Sequence, residues 1–139
     1  MPDPRPTRGV IDTSVVIDLQ DLDPGGLPSE LAISAVTMAE LAAGPHATTD
    51  PNERARRQDR LQRAEALFDP LPLDADAARA YGRIYAAVAG AGHKARGARS
   101  LDLLIAATAL AAGLPLYTRN PGDFRGIEDL VEVMPVSAP

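Results

Sequence analysis

Residues 10–14 read Val-Ile-Asp-Thr-Ser, and this short run indicates how the chain is organised. Two apolar residues lead directly into an acid and two hydroxyl residues, which predicts a short buried strand that ends at a helix cap. Asp12 then lies where the strand becomes the helix. A carboxylate directly after a buried strand is costly to desolvate unless it has a partner. Asp12 is therefore the first candidate functional residue.

Strand and helix patterns alternate along the rest of the chain. An apolar segment at residues 31–34 precedes a predicted helix at 37–43. Capping residues and apolar spacing predict three more helices further along the chain. These further helices begin after Asp50, Asp74 and Ser100, and two later strands are predicted at 114–118 and 130–134. Alternating strands and helices indicate a three-layer α/β/α fold with a central parallel sheet flanked by helices. We expect residues 1–139 to form a single domain.

The composition excludes several classes of protein. The 139 residues include no cysteine, which removes thiolate metal sites, thiol nucleophiles and disulfide scaffolds. The net charge of −5 argues against a general nucleic-acid coat, although a local basic patch remains compatible with it. Neither an export signal nor an apolar run of the roughly 20 residues that a membrane span needs is evident. The sequence therefore predicts a soluble, cytoplasmic protein with no membrane segment.

Four acids follow the predicted strands. Asp12 ends the first strand, Glu40 lies in the first turn of the helix after the second, Asp102 lies in the first turn of the apolar helix, and Asp123 follows the strand at 114–118. Ligands bind outside the carboxyl ends of the strands in open α/β sheets, so these four side chains are expected to converge. Grouped carboxylates need a cation, and Mg²⁺ or Mn²⁺ prefers carboxylate oxygens. The sequence therefore predicts a divalent-metal site.

Each acid also has an ordinary structural interpretation. Glu40 could complete a capping box with Thr37, and Asp102 could be a first-turn acid favoured by the helix dipole. Asp123, in Asn-Pro-Gly-Asp, could be a turn residue. Asp12 is the hardest of the four to explain in this way. The coincidence of all four at one edge of the sheet favours the metal site.

Four motifs in this order resemble a known family. They are Val-Ile-Asp-Thr-Ser at 10–14, Val-Thr-Met-Ala-Glu-Leu at 36–41, Ser-Leu-Asp-Leu-Leu-Ile-Ala-Ala-Thr-Ala at 100–109 and Thr-Arg-Asn-Pro-Gly-Asp-Phe at 118–124. Together they resemble the PIN-domain family, specifically its VapC-type toxins, over nearly the whole chain. The resemblance implies a Mg²⁺- or Mn²⁺-dependent endoribonuclease that is held inactive by a cognate VapB-type antitoxin.

The resemblance also assigns roles to individual residues. It implies that the acidic quartet is catalytic and binds the metal, and that three polar residues support it; Asn120 shares or replaces the role of Asp123. The quartet is Asp12, Glu40, Asp102 and Asp123, and the supporting residues are Thr13, Thr118 and Asn120. A metal at such a site activates water for attack on a phosphodiester, and a second ion near Asp123 would stabilise the leaving oxygen.

An acidic pocket repels RNA, so basic residues elsewhere are expected to hold the phosphate backbone. The candidates for RNA binding are Lys94, Arg96 and Arg99 of the Gly-rich basic loop, with the arginines between positions 54 and 63 as a second set. The alternative interpretation of both sets is that they are solvated surface charges.

Two kinds of protein partner are expected. Leu19, Leu22 and Leu27 lie in a Pro/Gly-rich stretch and suggest apolar surface that the antitoxin covers near the second and third helices. Tyr81 and Tyr85, one turn apart, suit a homodimer interface or the edge of the core. The competing hypothesis for the whole chain is a catalytically silent module that uses its acidic pocket only to bind a basic partner.

Overall fold

The computed structural model describes residues 7–93 and 98–137, which form four strands and five α-helices, four of these helices in succession between the second and third strands. The strands are β1 (Arg8–Ile11), β2 (Glu30–Ala32), β3 (Leu116–Thr118) and β4 (Val133–Pro135). The helices are α1 (Thr13–Asp18), α2 (Ala35–Ala43), α3 (Pro51–Leu67), α4 (Ala75–Gly90) and α5 (Ala98–Ala112). Within these ranges, no helix has the length and apolar character needed to cross a membrane.

The strands form one parallel sheet in the order β2-β1-β3-β4. In the two inner strands, Val10 lies beside Leu116 and Ile11 beside Tyr117. The connection from β1 leads to β2 on one side of it, and the chain later returns to form β3 on the other side of β1. The direction of the connections therefore reverses between β1 and β3. Open α/β sheets bind ligands in the crevice at such a point. The residues that follow β1 and β3 therefore border the crevice where a ligand is expected to bind.

The sheet separates two apolar cores. Val10 and Leu116 belong to the core that includes α4 and α5, whereas Ile11 and Tyr117 belong to the core that includes α1 and α3. Neighbouring residues of a strand point to opposite faces, so each strand contributes to both cores. The predicted three-layer α/β/α architecture with a central parallel sheet is confirmed.

Helix α2 begins earlier than predicted. Ser34 caps it, with its hydroxyl accepting a 3.0 Å hydrogen bond from the Val36 N–H. Thr37 is consequently a buried residue inside the helix, and Glu40 is the sixth helical residue rather than a member of the first turn. The capping-box interpretation of Thr37 and Glu40 is therefore wrong, which leaves the carboxylate of Glu40 available for another role.

Helix α5 also begins early, at Ala98 instead of directly after Ser100. Asp102 is then the fifth residue of the helix and lies beyond its first turn. The favourable interaction of an acid with the helix dipole falls off within that turn. The dipole therefore does not account for Asp102.

Two exposed and two buried apolar side chains bear on the expected partner surfaces. Leu67, the last residue of α3, is 71% exposed, and Tyr85 on α4 is 51% exposed. Leu22 and Leu27, expected to need a partner, are buried in the core beside α1. The loop between α1 and β2 thus covers its own apolar residues.

Candidate active site

Asp12 lies directly after β1 and caps α1, and only 4% of its surface is exposed. Its Oδ1 accepts hydrogen bonds from the Ser14 hydroxyl at 2.5 Å and from the Val15 N–H at 3.2 Å. The Thr118 side chain, at the end of β3, also hydrogen-bonds to this carboxylate. Burial raises the pKa of Asp12, and the hydrogen bonds oppose that rise because they favour the charged form. Two adjacent strand ends therefore hold one desolvated carboxylate.

Glu40 reaches the site from α2 through a contact with α1. The Thr13 hydroxyl donates a 2.7 Å hydrogen bond to Oε1 of Glu40. The same hydroxyl lies 3.1 Å from Oγ1 of Thr37, which is buried about one turn before Glu40 on α2. Among the four acids, Thr13 therefore contacts Glu40 through its hydroxyl.

The charges of the other three acids affect the pKa of Asp102. Its pKa is raised to about 6, chiefly by burial and then by the negative charges of Asp123, Glu40 and Asp12. Arg99 acts in the opposite direction. Charges shift one another's pKa strongly only when they lie close together. Asp123, Glu40 and Asp12 are therefore all near enough to Asp102 for their charges to act on it.

The two candidates for the fourth position act in different ways. Asp123 is exposed and lies in a short 3₁₀ helix at Pro121–Phe124, yet its charge acts on Asp102 more strongly than the charges of the other acids. Asn120 is also exposed, and its backbone N–H donates a 3.0 Å hydrogen bond to Oγ1 of Thr118. Asp123 thus contributes charge to the site, whereas Asn120 helps to orient a residue that holds Asp12.

Ser14 and Arg119 are site residues that the sequence pattern did not identify. Besides donating to Asp12, the Ser14 hydroxyl accepts a 3.2 Å hydrogen bond from the backbone N–H of Arg119. The Arg119 guanidinium forms an ion pair with Asp18, the last residue of α1. Helix α1 is therefore bound at both of its ends to the residue that follows β3. The position of Ser14 beside a capping acid was the only local signal for this role.

One predicted RNA-binding residue lies against the acidic site. Arg99, the second residue of α5, acts electrostatically on Asp102. Two of its guanidinium nitrogens, Nε and Nη2, are buried and meet no hydrogen-bond acceptor in the structure as far as it is described. The other two predicted residues, Lys94 and Arg96, lie outside the described residues.

The arginines of α3 are engaged close to their own helix. Arg54 donates to the backbone carbonyls of Pro45 and Thr48 at 3.1 and 2.9 Å. Arg57 pairs with Glu53 at 3.0 Å. These contacts give the α3 arginines a structural use, which favours their interpretation as ordinary helix charges.

The four acids fit a hard divalent cation by the chemistry of their donor atoms, since Mg²⁺ and Mn²⁺ prefer carboxylate oxygens. Across residues 7–93 and 98–137, none of these acids is in a salt bridge with an arginine or lysine. In the same ranges, no three carboxylate, imidazole or thiolate groups lie close enough to enclose an ion by themselves. Mg²⁺ usually keeps several waters and takes one or two carboxylates. A Mg²⁺ ion bound by these acids would therefore need water molecules as its remaining ligands.

Comparison with known proteins identifies relatives over most of the chain. A family model described as the PIN domain matches residues 9–130. The chain is 37% identical over 131 residues to Ribonuclease VapC5 of Mycobacterium tuberculosis, which covers 92% of this chain and 93% of that protein. It is 30% identical to Ribonuclease VapC of Rickettsia bellii, over 91% of this chain and 95% of the relative.

Solved structures give the same picture. A crystal structure of VapBC-5 from Mycobacterium tuberculosis, described as a member of the VapBC family of toxin–antitoxin systems, matches with a TM-score of 0.81 and 34% identity. That match covers 96% of this chain and 100% of the other. FitAcB from Neisseria gonorrhoeae matches with a TM-score of 0.69 and 26% identity, over 90% and 95% of the two chains.

Proposed function

This chain belongs to the PIN-domain family, with VapC ribonucleases among its relatives, and we propose that it is the toxin ribonuclease of a toxin–antitoxin pair. The observation that carries the proposal is the electrostatic effect of three acids on Asp102 beside the point where the sheet topology switches. These three acids are Asp12, Glu40 and Asp123. The reaction would be endonucleolytic hydrolysis of RNA in the cytoplasm, where RNA and a cognate antitoxin are both present.

Asp12, Glu40 and Asp102 would hold Mg²⁺ or Mn²⁺ together with water molecules that bridge the remaining distance, with Asp123 or Asn120 completing the site. When bound, such an ion would supply a more acidic water molecule for attack and neutralise charge that develops on the phosphate, and a second ion near Asp123 would serve the leaving oxygen. Hydrolysis by water needs no protein nucleophile, which suits a chain without cysteine.

The hydroxyl residues around the acids would keep the carboxylates in position. The Ser14 and Thr118 side chains and the Val15 N–H all bond to Asp12 in its charged form. Thr13 does the same for Glu40. Partners of this kind orient metal-binding side chains and are typically worth 10–100-fold in metal affinity or activity. The chain's own contribution is therefore a set of carboxylate ligands that hydroxyl and backbone donors hold in place.

Arg99 is the described residue best placed to meet the RNA phosphate. Its guanidinium lies beside Asp102 and has two buried nitrogens without an acceptor among the described residues. A phosphate oxygen would satisfy such donors and offset the repulsion between the acids and the RNA. Lys94 and Arg96, which are close to Arg99 in sequence, remain predicted RNA contacts.

The antitoxin would cover a groove between α1 and α3. The groove has a volume of about 260 Å³, and its wall includes Ile17 and Leu67, which are 47% and 71% exposed. Arg60 and Arg63 stand at its edge. An apolar segment of a VapB-type partner would bury the two exposed side chains, while a basic residue of the partner could enter the acidic site. This groove replaces Leu22 and Leu27, which the chain buries itself, as the basis of the antitoxin prediction.

A homodimer remains part of the proposal. Tyr85 is 51% exposed on α4, and its ring lies 6.2 Å from that of Tyr81. Tyr81 packs against the core, so the exposed ring of Tyr85 is the one that suits a two-fold interface between identical helices. Such pairing would place two active sites on one particle.

Sequencing of RNA ends after induced expression of the chain alone tests the proposed function. We expect new ends at defined positions in one or a few RNAs, and no such ends with the Asp12→Asn variant. The same RNA ends with both proteins would refute the assignment.

A further inference from the structure

A second pocket adjoins the acidic site at the same edge of the sheet. It has a volume of about 270 Å³ and lies between α1 and the segment that follows β3. Its lining residues are Ser14, Ile17, Asp18, Arg119 and Asn120. The pocket is open to solvent, so one planar ring could enter it from outside. Ser14 belongs to both sites, because its hydroxyl donates to Asp12.

We propose that this pocket binds one nucleobase of the RNA beside the scissile phosphate and selects guanine. The inference rests on the proposed ribonuclease function and adds a sequence preference to it. Ser14 lines the pocket and donates a hydrogen bond to Asp12, so a base in the pocket would lie beside the acidic site.

The walls of the pocket provide both shape and polarity. Ile17, 47% exposed, offers an apolar surface against which a flat ring can lie. Asp18 supplies acceptors and Arg119 supplies donors, and their ion pair fixes the two groups relative to each other. The side chains are 36% and 24% exposed, so they are ordered yet still accessible. Asp18 accepts from Nη1 of Arg119, whereas Nη2 has no hydrogen-bond partner among the described residues and is left to donate to a ligand.

Guanine matches this arrangement better than the other bases. Its O6 and N7 accept the two donors of an arginine, the commonest specific contact between a protein and a base. Its N1–H and exocyclic amino group can donate to a carboxylate such as that of Asp18. Adenine presents an amino donor where guanine has O6, and that donor would face the guanidinium. Unpaired bases of single-stranded RNA are commonly read on these edges.

The direct test is to map cleavage sites in a pool of random-sequence RNA. The wild type should show guanine enriched about tenfold at one position beside the cleaved bond, since a good bidentate contact discriminates by 1–3 kcal/mol. Arg119→Lys keeps the positive charge opposite Asp18 but loses the planar fork. We expect this variant to cleave RNA with the enrichment reduced to about twofold or less. Arg125→Lys changes an exposed arginine outside the pocket and should retain the full preference.

Cleavage by the wild type without guanine enrichment, or an enrichment that survives in Arg119→Lys, would overturn the subsite and leave the ribonuclease function intact. If the wild type cleaves no RNA, the proposed function fails. Fluorescence anisotropy with labelled UUGUU and UUAUU in Ca²⁺ then tests the pocket separately. Tighter binding of UUGUU that Arg119→Lys abolishes would support the subsite, and equal binding of the two oligonucleotides would overturn it.

Discussion

The Thr13 hydroxyl donates a hydrogen bond of 2.7 Å to Oε1 of Glu40. Thr13 is the first residue of α1 and Glu40 is the sixth of α2, so this bond joins the helices that follow β1 and β2. Asp12, which precedes Thr13, accepts hydrogen bonds from Ser14 in the first turn of α1 and from Thr118 at the end of β3. The direction of the Glu40 carboxylate therefore depends on the start of α1.

Thr13→Val should weaken the site while preserving the fold, because valine keeps the shape of threonine and removes the donor. We expect a loss of 10–100-fold in Mn²⁺ affinity or cleavage rate, the usual effect of removing a partner of a metal ligand. Thr13→Ser retains the hydroxyl and should stay near the wild type. Equal Mn²⁺ affinities and rates for the two variants would show that this hydrogen bond does not position Glu40.

The pKa of Asp102 predicts how stability depends on pH without metal. Because its pKa rises from 3.8 to about 6 in the folded chain, proton binding favours folding. The contribution of this proton to the free energy of unfolding is complete below pH 3.8 and is lost as the pH rises through about 6. Thermal melts in EDTA should therefore agree for the wild type and Asp102→Asn near pH 4, and the variant should be the more stable at pH 8.

Adding Mn²⁺ should reverse this order at pH 8, since the wild type then has a cation for its grouped carboxylates. Asp129→Asn, at an exposed position in a loop, serves as a matched control and should follow the wild type throughout. Parallel melting curves for Asp102→Asn and the wild type across this pH range would contradict the electrostatic picture of the site.

The groove between α1 and α3 makes a separate prediction about the antitoxin. Leu67→Glu places a charge on its exposed apolar wall and should release a co-expressed antitoxin, while the melting temperature and the cleavage activity of the chain stay unchanged. Leu73→Glu alters another exposed leucine, 43% exposed and outside the groove. Pull-down of the small protein encoded beside the gene measures the effect. Retention of the antitoxin by Leu67→Glu would show that the antitoxin does not bind this groove.

Tyr85→Asp should weaken self-association by placing a charge in the proposed two-fold interface. Light scattering should then find a dimer of the wild type at low micromolar concentration and a monomer of the variant. Arg83→Asp lies on the opposite side of α4 by helical periodicity and should remain dimeric. A wild type that is monomeric at high concentration would remove the dimer from the proposal.

Local signals predicted the strand ends well. Asp12 could be placed because the change from Val-Ile to Asp-Thr-Ser marks the boundary within a few residues. The starts of α2 and α5 were predicted less well. For α2, Ser34 and Thr37 are both suitable caps, and only tertiary packing selects Ser34. Each helix consequently began a few residues before its predicted start.

Contacts between distant segments could not be predicted in this way. Ser14 and Arg119 are 105 residues apart, and Asp18 and Arg119 are 101 apart. No periodicity links such pairs, because they meet only after β1 and β3 have paired. The acids could be grouped from the sequence since each follows a predicted strand, whereas the residues that orient them depend on the finished fold.

Cleavage of a labelled RNA by the purified chain tests the central claim most directly. The account predicts that the wild type and Asp129→Asn cut the RNA with Mg²⁺ or Mn²⁺ and not in EDTA. Asp102→Asn should be slower by at least about a hundredfold although it remains folded. Cleavage by Asp102→Asn at the wild-type rate, or a wild type that binds Mn²⁺ and cuts no RNA, would contradict the account; the second result would favour a catalytically silent binding module.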